Sequence, residues 1–286
     1  MTVWTESYRR RKAVSFAMIG LCGLATAIAV GVLLMVIGYT LAQGIPSLNL
    51  NFITQAARPL GEPGGGMRNE IIGTLLLTGL AFVFGGPLGV LGGVFLAEYA
   101  GKKWGAFIRL VADALTGVPS IVVGVFVFAV VVRPFHSFSA LAGGVALAII
   151  MLPVLARTTE EMVKLVPNTF REAGLALGIP RWRVIMSVVI PGAKAGIVTG
   201  IMLSVARIAG ETAPLIFTAL GNRFGYSGLD QPIGALPLQI WRYALSPYPA
   251  WHEQAWAAAF LLIVMVLLLS VVARLLTGWF SRRRNV

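Results

Sequence analysis

The sequence has little charge and almost no cysteine or histidine, and each shortage excludes a class of protein. Charged residues make up 12% of the 286 residues, whereas a soluble domain carries about 25%. With 57% hydrophobic residues, the chain cannot cover a water-facing surface with polar side chains, which indicates an integral membrane protein. The single cysteine, Cys22, excludes a disulfide framework, and His136 and His252 lack the spacing of metal ligands.

The sequence also lacks the phosphate-binding loop of ATPases, Gly-x-x-x-x-Gly-Lys-Ser/Thr. Its nearest approach is Gly101-Lys102, where Leu96 occupies the position of the first glycine. Catalytic triads, metal motifs and nucleotide fingerprints are missing as well. We therefore expect that the chain is not an enzyme and that it binds neither ATP nor magnesium itself.

Six apolar runs of about 20 residues are long enough to cross a bilayer as helices. Gaps between charged residues place them at 14–41, 71–97, 107–132, 139–156, 195–220 and 254–273. Transmembrane barrels are built instead from short segments of alternating polarity. The sequence therefore predicts an all-α integral membrane protein with six transmembrane helices, so that both termini lie on one side.

The distribution of positive charge orients these helices. With the termini in the cytoplasm, 17 of the 23 Lys and Arg residues lie in cytoplasmic segments, five lie in outer segments and Arg207 lies inside a span. Cytoplasmic loops are enriched in Lys and Arg, so we expect the N and C termini to be cytoplasmic. The net charge of +12 is then explained by membrane anchoring, without a nucleic-acid partner.

Glycines recur every four residues in two of the predicted spans. Gly85, Gly89 and Gly93 share one face of the second span, and Gly196 and Gly200 share one face of the fifth. Small residues at this spacing let a neighbouring helix approach closely. Three prolines that remove a helix hydrogen bond and can kink a span are Pro87, Pro119 and Pro214.

A cytoplasmic segment of about 37 residues, 157–193, separates the fourth and fifth predicted spans. A connection of this length in a compact bundle is usually functional. Pro167 and the polar residues after it are typical of a helix start, and Gly178 is typical of a helix end. The sequence predicts a helix of about two turns between them, which needs a packing partner because so short a helix is unstable alone.

This segment resembles the EAA signature of ABC importer permeases. It contains Glu172-Ala173-Gly174, then Gly178 and then Val188-Val189-Ile190-Pro191, with Gly174 where the signature has its second alanine. The resemblance extends over about residues 69–275. Blocks that are similar to the phosphate-transporting permeases of this family lie at 115–124, 206–220 and 243–248.

The resemblance implies a type I ABC importer permease fold in the bacterial plasma (inner) membrane. Residues 69–276 would form the permease core. Residues 1–68 would form a cytoplasmic tail, the first span and an outer loop, and residues 277–286 a basic cytoplasmic tail. Within the core, the segment 157–193 would carry a coupling helix that contacts an ATPase through four residues: Glu172, Ala173, Gly174 and Gly178.

The function implied by the resemblance is ATP-driven import of inorganic phosphate. The implied partners are a second permease of the C type, forming a heterodimer, an ATPase dimer that binds the ATP and magnesium, and an extracytoplasmic phosphate-binding protein. A permease of the same kind for phosphonate, sulfate or molybdate is an alternative. So are an ion-coupled secondary carrier, which would need inverted repeats with broken midplane helices, and a non-transporting membrane scaffold.

Arg207 lies near the middle of the fifth predicted span, and Glu211 follows four residues later on the same helix face. A charge at the bilayer centre costs at least ~2.5–3.5 kcal/mol, so it needs a partner or a wet pathway. Arginine binds phosphate oxygens in a bidentate manner, and the resemblance assigns the matching pair to phosphate translocation. We interpret both residues as part of the substrate pathway, with Glu211 neutralising Arg207 when no anion is bound. An internal ion pair, or a pair with a partner subunit, is the alternative.

Asp113 intrudes into the third predicted span four residues after Arg109. Both residues lie near the cytoplasmic end, where long side chains reach the membrane interface at little cost. The spacing predicts a structural ion pair between them.

Overall fold

A computed structural model of the chain describes residues 2–59, 65–222, 225, 226 and 228–282. The described residues are mostly helical, and extended backbone pairs only in one bridge between Leu220 and Ile233. Five described helices are long and apolar enough to cross a membrane, and a sixth span results if two helices joined at a 99° bend are counted together. The prediction of an all-α protein with up to six spans is confirmed.

The structure describes 13 α-helices. In chain order they are α1 (Thr2–Gly44), α2 (Leu50–Thr54), α3 (Arg68–Glu98), α4 (Lys102–Gly117), α5 (Ser120–Val127), α6 (Arg133–Phe135), α7 (Ala140–Lys164), α8 (Asn168–Ala176), α9 (Arg181–Val184), α10 (Ile190–Ala209), α11 (Ala213–Thr218), α12 (Leu236–Ala244) and α13 (Pro249–Arg282). Five-residue π-helical turns, Phe128–Val132 and Ile185–Val189, join α5 to α6 and α9 to α10.

The glycine face of α3 packs against α7, and this is the most extensive helix pair of the bundle. A Cβ added at Gly85 would lie 3.0 Å from the Ala148 carbonyl oxygen, and one added at Gly93 would lie 2.5 Å from the Ala156 carbonyl oxygen. The two backbones therefore meet at a distance that only glycine permits. The predicted close approach along this face of α3 is confirmed.

The second glycine pair, Gly196 and Gly200, packs α10 against α7. Gly196 packs on Met162, and a Cβ at Gly200 would lie 2.7 Å from the Thr158 hydroxyl oxygen. The contacting residue moves from 196 to 200 in α10 while its partner moves from 162 to 158 in α7. The two helices are therefore antiparallel, and their contacts fix how deep each α10 residue lies along α7.

Helix α7 is the centre of the molecule. In its most apolar stretch 67% of the residues are buried, against 39% in α3 and 0% in α1. Its side chains form one buried cluster with residues of the helices around it. Members of that cluster include Leu77, Ala81, Leu147, Met151, Leu155, Ile208 and Leu215.

The first predicted span is a helix, but it lies at the edge of the bundle. It contacts α13 near its end, where the Tyr39 ring stands edge-on to Trp256 at 5.1 Å between ring centroids. A Cβ at Gly44 would lie 2.9 Å from the Trp256 carbonyl oxygen. Helix α1 also runs beyond both predicted bounds, 14 and 41, because neither the charged tail before it nor the polar residues after it interrupt its backbone.

Three other predicted bounds are wrong. The fourth span does not end at 156, since α7 continues to Lys164 with the Thr158 hydroxyl bonded back to the Val154 carbonyl. The third span, 107–132, is not one helix, because it bends by 99° between α4 and α5. The fifth, 195–220, has its helical run at Arg181–Ala209 instead. Charge marks where a span leaves the membrane but not where an apolar helix breaks.

The predicted division of the chain into a tail with one span, a core and a basic tail stays a prediction. Helix α13 runs through the proposed boundary at 276 and ends at Arg282. Residues 283–286 of the predicted basic tail lie outside the described residues. The non-spanning part of the segment 157–193 shrinks to 165–180, because its two ends belong to the flanking helices.

Candidate transport pathway and coupling site

The fifth span is broken between α10 and α11. Pro214, near the start of α11, has no N–H to donate to the Gly210 carbonyl, so the α-helical ladder cannot continue. The last turn of α10 tightens instead, with the Gly210 N–H bonded to the Arg207 carbonyl and the Glu211 N–H bonded to the Ile208 carbonyl, each at 3.2 Å. Arg207 therefore stands at the end of a helix and not within one.

The break nevertheless lies at mid-depth in the bundle. Antiparallel continuation from the Gly200–Thr158 contact places Arg207 level with Met151, close to the middle of α7. Ile208, next to Arg207, shares the buried cluster of Met151 and Leu147. The possible kink at Pro214 is a full break in the helix, and the position of Arg207 halfway along the bundle agrees with the sequence.

The Arg207–Glu211 pair is loose and partly open. Arg207 Nε lies 3.9 Å from Glu211 Oε1, and the two side chains are 46% and 17% exposed. Charge-assisted hydrogen bonds are about 2.7–2.9 Å long, so this contact is electrostatic without being a hydrogen bond. Among the described residues none makes a hydrogen bond with the Arg207 guanidinium, which leaves its donors available to an incoming acceptor.

The bend of the third span meets the break of the fifth. Pro119 stands at the 99° bend between α4 and α5. Five residues later, a Cβ at Gly124 would lie 2.6 Å from the Pro214 Cα. The sequence blocks 115–124 and 206–220, which carry the family resemblance, are therefore packed against each other.

The third block of the resemblance, 243–248, belongs to another part of the bundle. Tyr243 is buried and its ring stacks on Trp251 at 4.6 Å between centroids. This contact holds α12 against α13, near the predicted outer side. The structure does not bring this block to the two helix breaks.

The predicted ion pair between Arg109 and Asp113 is wrong, because each residue reaches across to α7. Arg109 Nε donates to Glu160 Oε1 at 2.6 Å, and Arg157 Nε lies 2.9 Å from Asp113 Oδ1. The i,i+4 spacing on α4 was therefore a misleading signal. These two ion pairs join α4 to α7 instead.

Glu160 lies at the centre of this cluster, and its role was not predicted from the sequence. Its side chain is fully buried and accepts hydrogen bonds from Arg109, from Arg157 at 2.7 Å and from Lys164 at 2.5 Å. A buried carboxylate needs such partners because its charge is otherwise costly. The one available signal was its position three residues after one cation and four before another, on one helix face.

The predicted short helix on the cytoplasmic side is confirmed as α8. It begins after Pro167 and ends at Ala176, just before Gly178, whose φ of +75° is the left-handed conformation that glycine adopts freely. The Gly178 N–H bonds to the Leu175 carbonyl at 2.9 Å, and the Ile179 N–H bonds to the Gly174 carbonyl at 3.2 Å. These two bonds form a Schellman motif, which stops the helix where the sequence predicts.

Two residues of α8, Arg171 and Gly174, face the protein, and most of the others are exposed. Gly174 is buried, and a Cβ there would lie 2.7 Å from Val184 Cγ2. The alanine of the EAA signature is absent at this position because Val184 occupies its space. Glu172 and Ala173 are exposed on the outer face, together with three large apolar side chains. These are Phe170, Leu175 and Leu177, at 55%, 49% and 79% exposure.

Comparison with known proteins identifies relatives along most of the chain. The family model described as "binding-protein-dependent transport system inner membrane component" matches residues 89–286. The phosphate transport system permease protein PstA of Yersinia pestis is 45% identical over 254 residues, which are 88% of this chain and 85% of the relative. PstA of Haemophilus influenzae is 41% identical over 266 residues, 93% of this chain and 94% of the relative.

A solved structure has the same fold. A chain of the MetNI methionine ABC transporter, from a structure of its inward-facing conformations, matches with a TM-score of 0.57 at 20% identity. The match covers 74% of this chain and 92% of that chain. The predicted fold of the type I ABC importer permeases is thereby confirmed. The chain belongs to the family of inner membrane components of binding-protein-dependent transport systems.

Proposed function

We propose that this protein is the transmembrane permease subunit of an ATP-driven importer of inorganic phosphate. The observation that carries the proposal is the identity of 41–45% with phosphate permeases over most of the chain. Such identity supports a shared cargo, whereas the more distant likeness to a methionine transporter supports the fold alone. The open arginine at mid-depth is consistent with an anionic substrate.

In this proposal Arg207 binds phosphate where the membrane would otherwise exclude it. A dianion in a low-dielectric interior needs a fixed positive charge with free hydrogen-bond donors. The exposure of Arg207 and its loose contact with Glu211 at 3.9 Å support this role. When phosphate leaves, Glu211 compensates the positive charge, so that the site does not hold the anion permanently.

The energy would come from a separate ATPase dimer that docks on α8. The outward face of α8, with Glu172 and Ala173 beside exposed apolar side chains, supports a protein partner, since exposed apolar patches commonly mark interfaces. Gly174 and Gly178 would hold this face in place by packing and by ending the helix. ATP and magnesium would bind to the ATPase and not to this chain.

The complete transporter would contain two further kinds of subunit. A second permease of the C type would form a heterodimer with this chain and close the other side of the pathway. An extracytoplasmic phosphate-binding protein would deliver the substrate to the outer side. The name of the family, which refers to a binding protein, supports this last partner.

The test is phosphate uptake into vesicles that contain this chain together with its co-encoded partners. Radiolabelled phosphate is supplied with the binding protein, with ATP inside the vesicles and with sulfate, phosphonate or molybdate as competitor. We expect uptake that requires ATP, resists the competitors and disappears with a non-hydrolysable ATP analogue.

Two outcomes would contradict the proposal in different ways. Uptake driven by an ion gradient without ATP would exclude the ABC mechanism. ATP-driven uptake of a competing oxyanion in place of phosphate would retain the mechanism and change the cargo. Vesicles without this chain are the control for uptake by other proteins.

A further inference from the structure

The short helix α8 is fastened to the membrane bundle through one arginine. Arg171 lies on its inner face with a side chain that is 18% exposed. Its Nε and Nη2 atoms donate to Glu98 Oε1 at 2.8 and 2.6 Å. Glu98 is the last residue of α3, and its side chain is 3% exposed.

The same guanidinium also caps the end of α7. Nη1 donates to the Val166 carbonyl at 2.6 Å, and Nη2 donates to the Val163 carbonyl at 2.9 Å. Carbonyl groups at a helix C-terminus have no intrahelical partner and carry a partial negative charge, so a cation there is stabilising. Arg171 thus joins α8 to the ends of α3 and α7, which form the principal helix pair of the bundle.

A second arginine meets the same carboxylate from the other end of the 165–180 connection. Arg181, the first residue of α9, donates to the Glu98 backbone carbonyl and lies 3.9 Å from Glu98 Oε2. Its guanidinium also lies 5.2 Å from the centroid of the Tyr99 ring. The Arg181 side chain is 58% exposed, so solvent weakens this contact relative to that of Arg171.

Apolar packing does little to join α8 to α3 or α7. The buried contact of α8 is that of Gly174 with Val184 of α9. Phe170 lines a groove beside Met162 of α7 but stays 55% exposed, and Leu175 is exposed as well. A force applied to the outer face would therefore pass to α9 through packing. It would pass to α3 through the Arg171 guanidinium, and to α7 through the same guanidinium together with the short backbone connection 165–167.

We propose that the Arg171–Glu98 contact is the mechanical link through which displacement of α8 reaches α3 and α7, so that Arg171 is a positioning residue for transport. This inference rests on the proposed function, in which α8 docks on an ATPase. With the link in place, α8 and the ends of the two helices move as one body. Without it, the ATPase hydrolyses ATP and moves α8 while the central helices stay behind.

The experiment measures ATP hydrolysis and uptake of radiolabelled phosphate in the same vesicles with the complete complex. Arg171→Gln alone leaves the buried Glu98 carboxylate without its closest partner, which can impair folding. The double variant Arg171→Gln/Glu98→Gln removes both charges and avoids that effect. Arg183→Gln is the matched control, because Arg183 is exposed on the same side of the protein and makes no ion pair with the described residues.

We expect the double variant to copurify with the ATPase and to retain hydrolysis within twofold of wild type. Phosphate transported per ATP hydrolysed should fall at least tenfold, whereas Arg183→Gln should match wild type. The effects of the two single substitutions on this ratio should not be additive in the double variant, because both remove the same contact. Arg171→Lys should recover part of the ratio, since lysine keeps the charge but cannot reach Glu98 and both carbonyls at once.

The link is disproved if the double variant assembles and transports phosphate with the wild-type ratio. It is also disproved if hydrolysis and uptake fall together in an assembled complex, since that result means that Arg171 serves ATPase docking alone. Failure of the proposed function looks different, because the wild-type complex itself would then show no ATP-dependent phosphate uptake.

Discussion

At the scale of residues, two buried carboxylates of the described bundle, Glu98 and Glu160, are each held by several cations. Glu160 accepts from Arg109, Arg157 and Lys164, and Glu98 is shared by two arginines. The contacts of Arg109 with Glu160 and of Arg171 with Glu98 span 51 and 73 residues of sequence. Helix spacing predicts only neighbours three or four residues apart, so the sequence could place the charges but not their long-range partners.

The cluster at Glu160 leads to a stability prediction. Glu160→Gln keeps the size of the side chain but leaves three cations close together, so it should cost about 3 kcal/mol of unfolding free energy. This is the lower end of the range for breaking a buried pair, because the cations are 27–49% exposed and can be hydrated. Thermal unfolding of the purified protein in detergent measures the loss.

Glu161→Gln is the control for that substitution. Glu161 is exposed, and none of the described residues forms an ion pair with its side chain. Its replacement should change the unfolding free energy by less than about 0.5 kcal/mol. Equal destabilisation by the two substitutions would contradict the assigned role of Glu160.

Glu211 leads to a prediction about transport kinetics. Glu211→Gln removes the charge that lies 3.9 Å from Arg207, so Arg207 should hold phosphate more tightly and release it more slowly. The phosphate concentration for half-maximal uptake and the maximal rate of uptake should both fall, each severalfold. A purely structural ion pair predicts a lower maximal rate with an unchanged half-maximal concentration. Initial rates over a range of phosphate concentrations distinguish the two.

At the scale of elements, two spans are interrupted near the middle of the bundle, and the interrupted parts pack on each other. Pro119 and Pro214 were visible in the sequence as possible kinks, and the structure places a break at each. Pro87 was visible in the same way, yet α3 continues through it. A proline alone does not decide whether a membrane helix breaks, because neighbouring helices in a bundle can support the distorted turn.

The contact between α5 and α11 leads to a packing prediction. Gly124→Ala would place a methyl group 2.6 Å from the Pro214 Cα, so the two helices would have to move apart. Overpacking of this kind costs about 1–3 kcal/mol. We expect a lower melting temperature in detergent together with reduced phosphate uptake. Gly79→Ala is the control, since no atom of the described structure lies within 4 Å of a Cβ there.

If Gly124→Ala and Gly79→Ala have the same small effect, the close approach of α5 and α11 is not required. A loss of uptake in Gly124→Ala with an unchanged melting temperature would still support the importance of the α5–α11 contact. It would show that the contact matters more for transport than for folding. The sequence indicated helix packing through glycines elsewhere, but Gly124 has no partner at four-residue spacing and gave no such signal.

At the scale of the whole molecule, the order of the spans was predictable because charged residues delimit apolar runs. Which spans lie beside each other could not be predicted, except where glycine spacing marks a contact face. The central position of α7 in particular has no signature in its composition, which resembles that of the other spans. Only the packing of α3, α4 and α10 around it shows that α7 forms the centre.

The mid-depth break also gives Arg207 its significance for the whole transporter. An arginine within a continuous helix would have to snorkel or pair internally. At the end of α10 the Arg207 side chain is 46% exposed, and its guanidinium has no hydrogen bond with the described residues. In the proposed function, this exposure is what would allow Arg207 to bind phosphate on its way across the membrane.

The most direct test is the initial rate of ATP-dependent phosphate uptake by the complete complex carrying Arg207→Gln. Arg133→Gln serves as control, because Arg133 is exposed near the outer end of α5 and α6. A bond from a charged donor contributes about 1.5–3 kcal/mol, so we predict at least a tenfold loss for Arg207→Gln, with assembly intact and Arg133→Gln near wild type. Uptake by Arg207→Gln within twofold of wild type would contradict the role of Arg207 in the phosphate pathway.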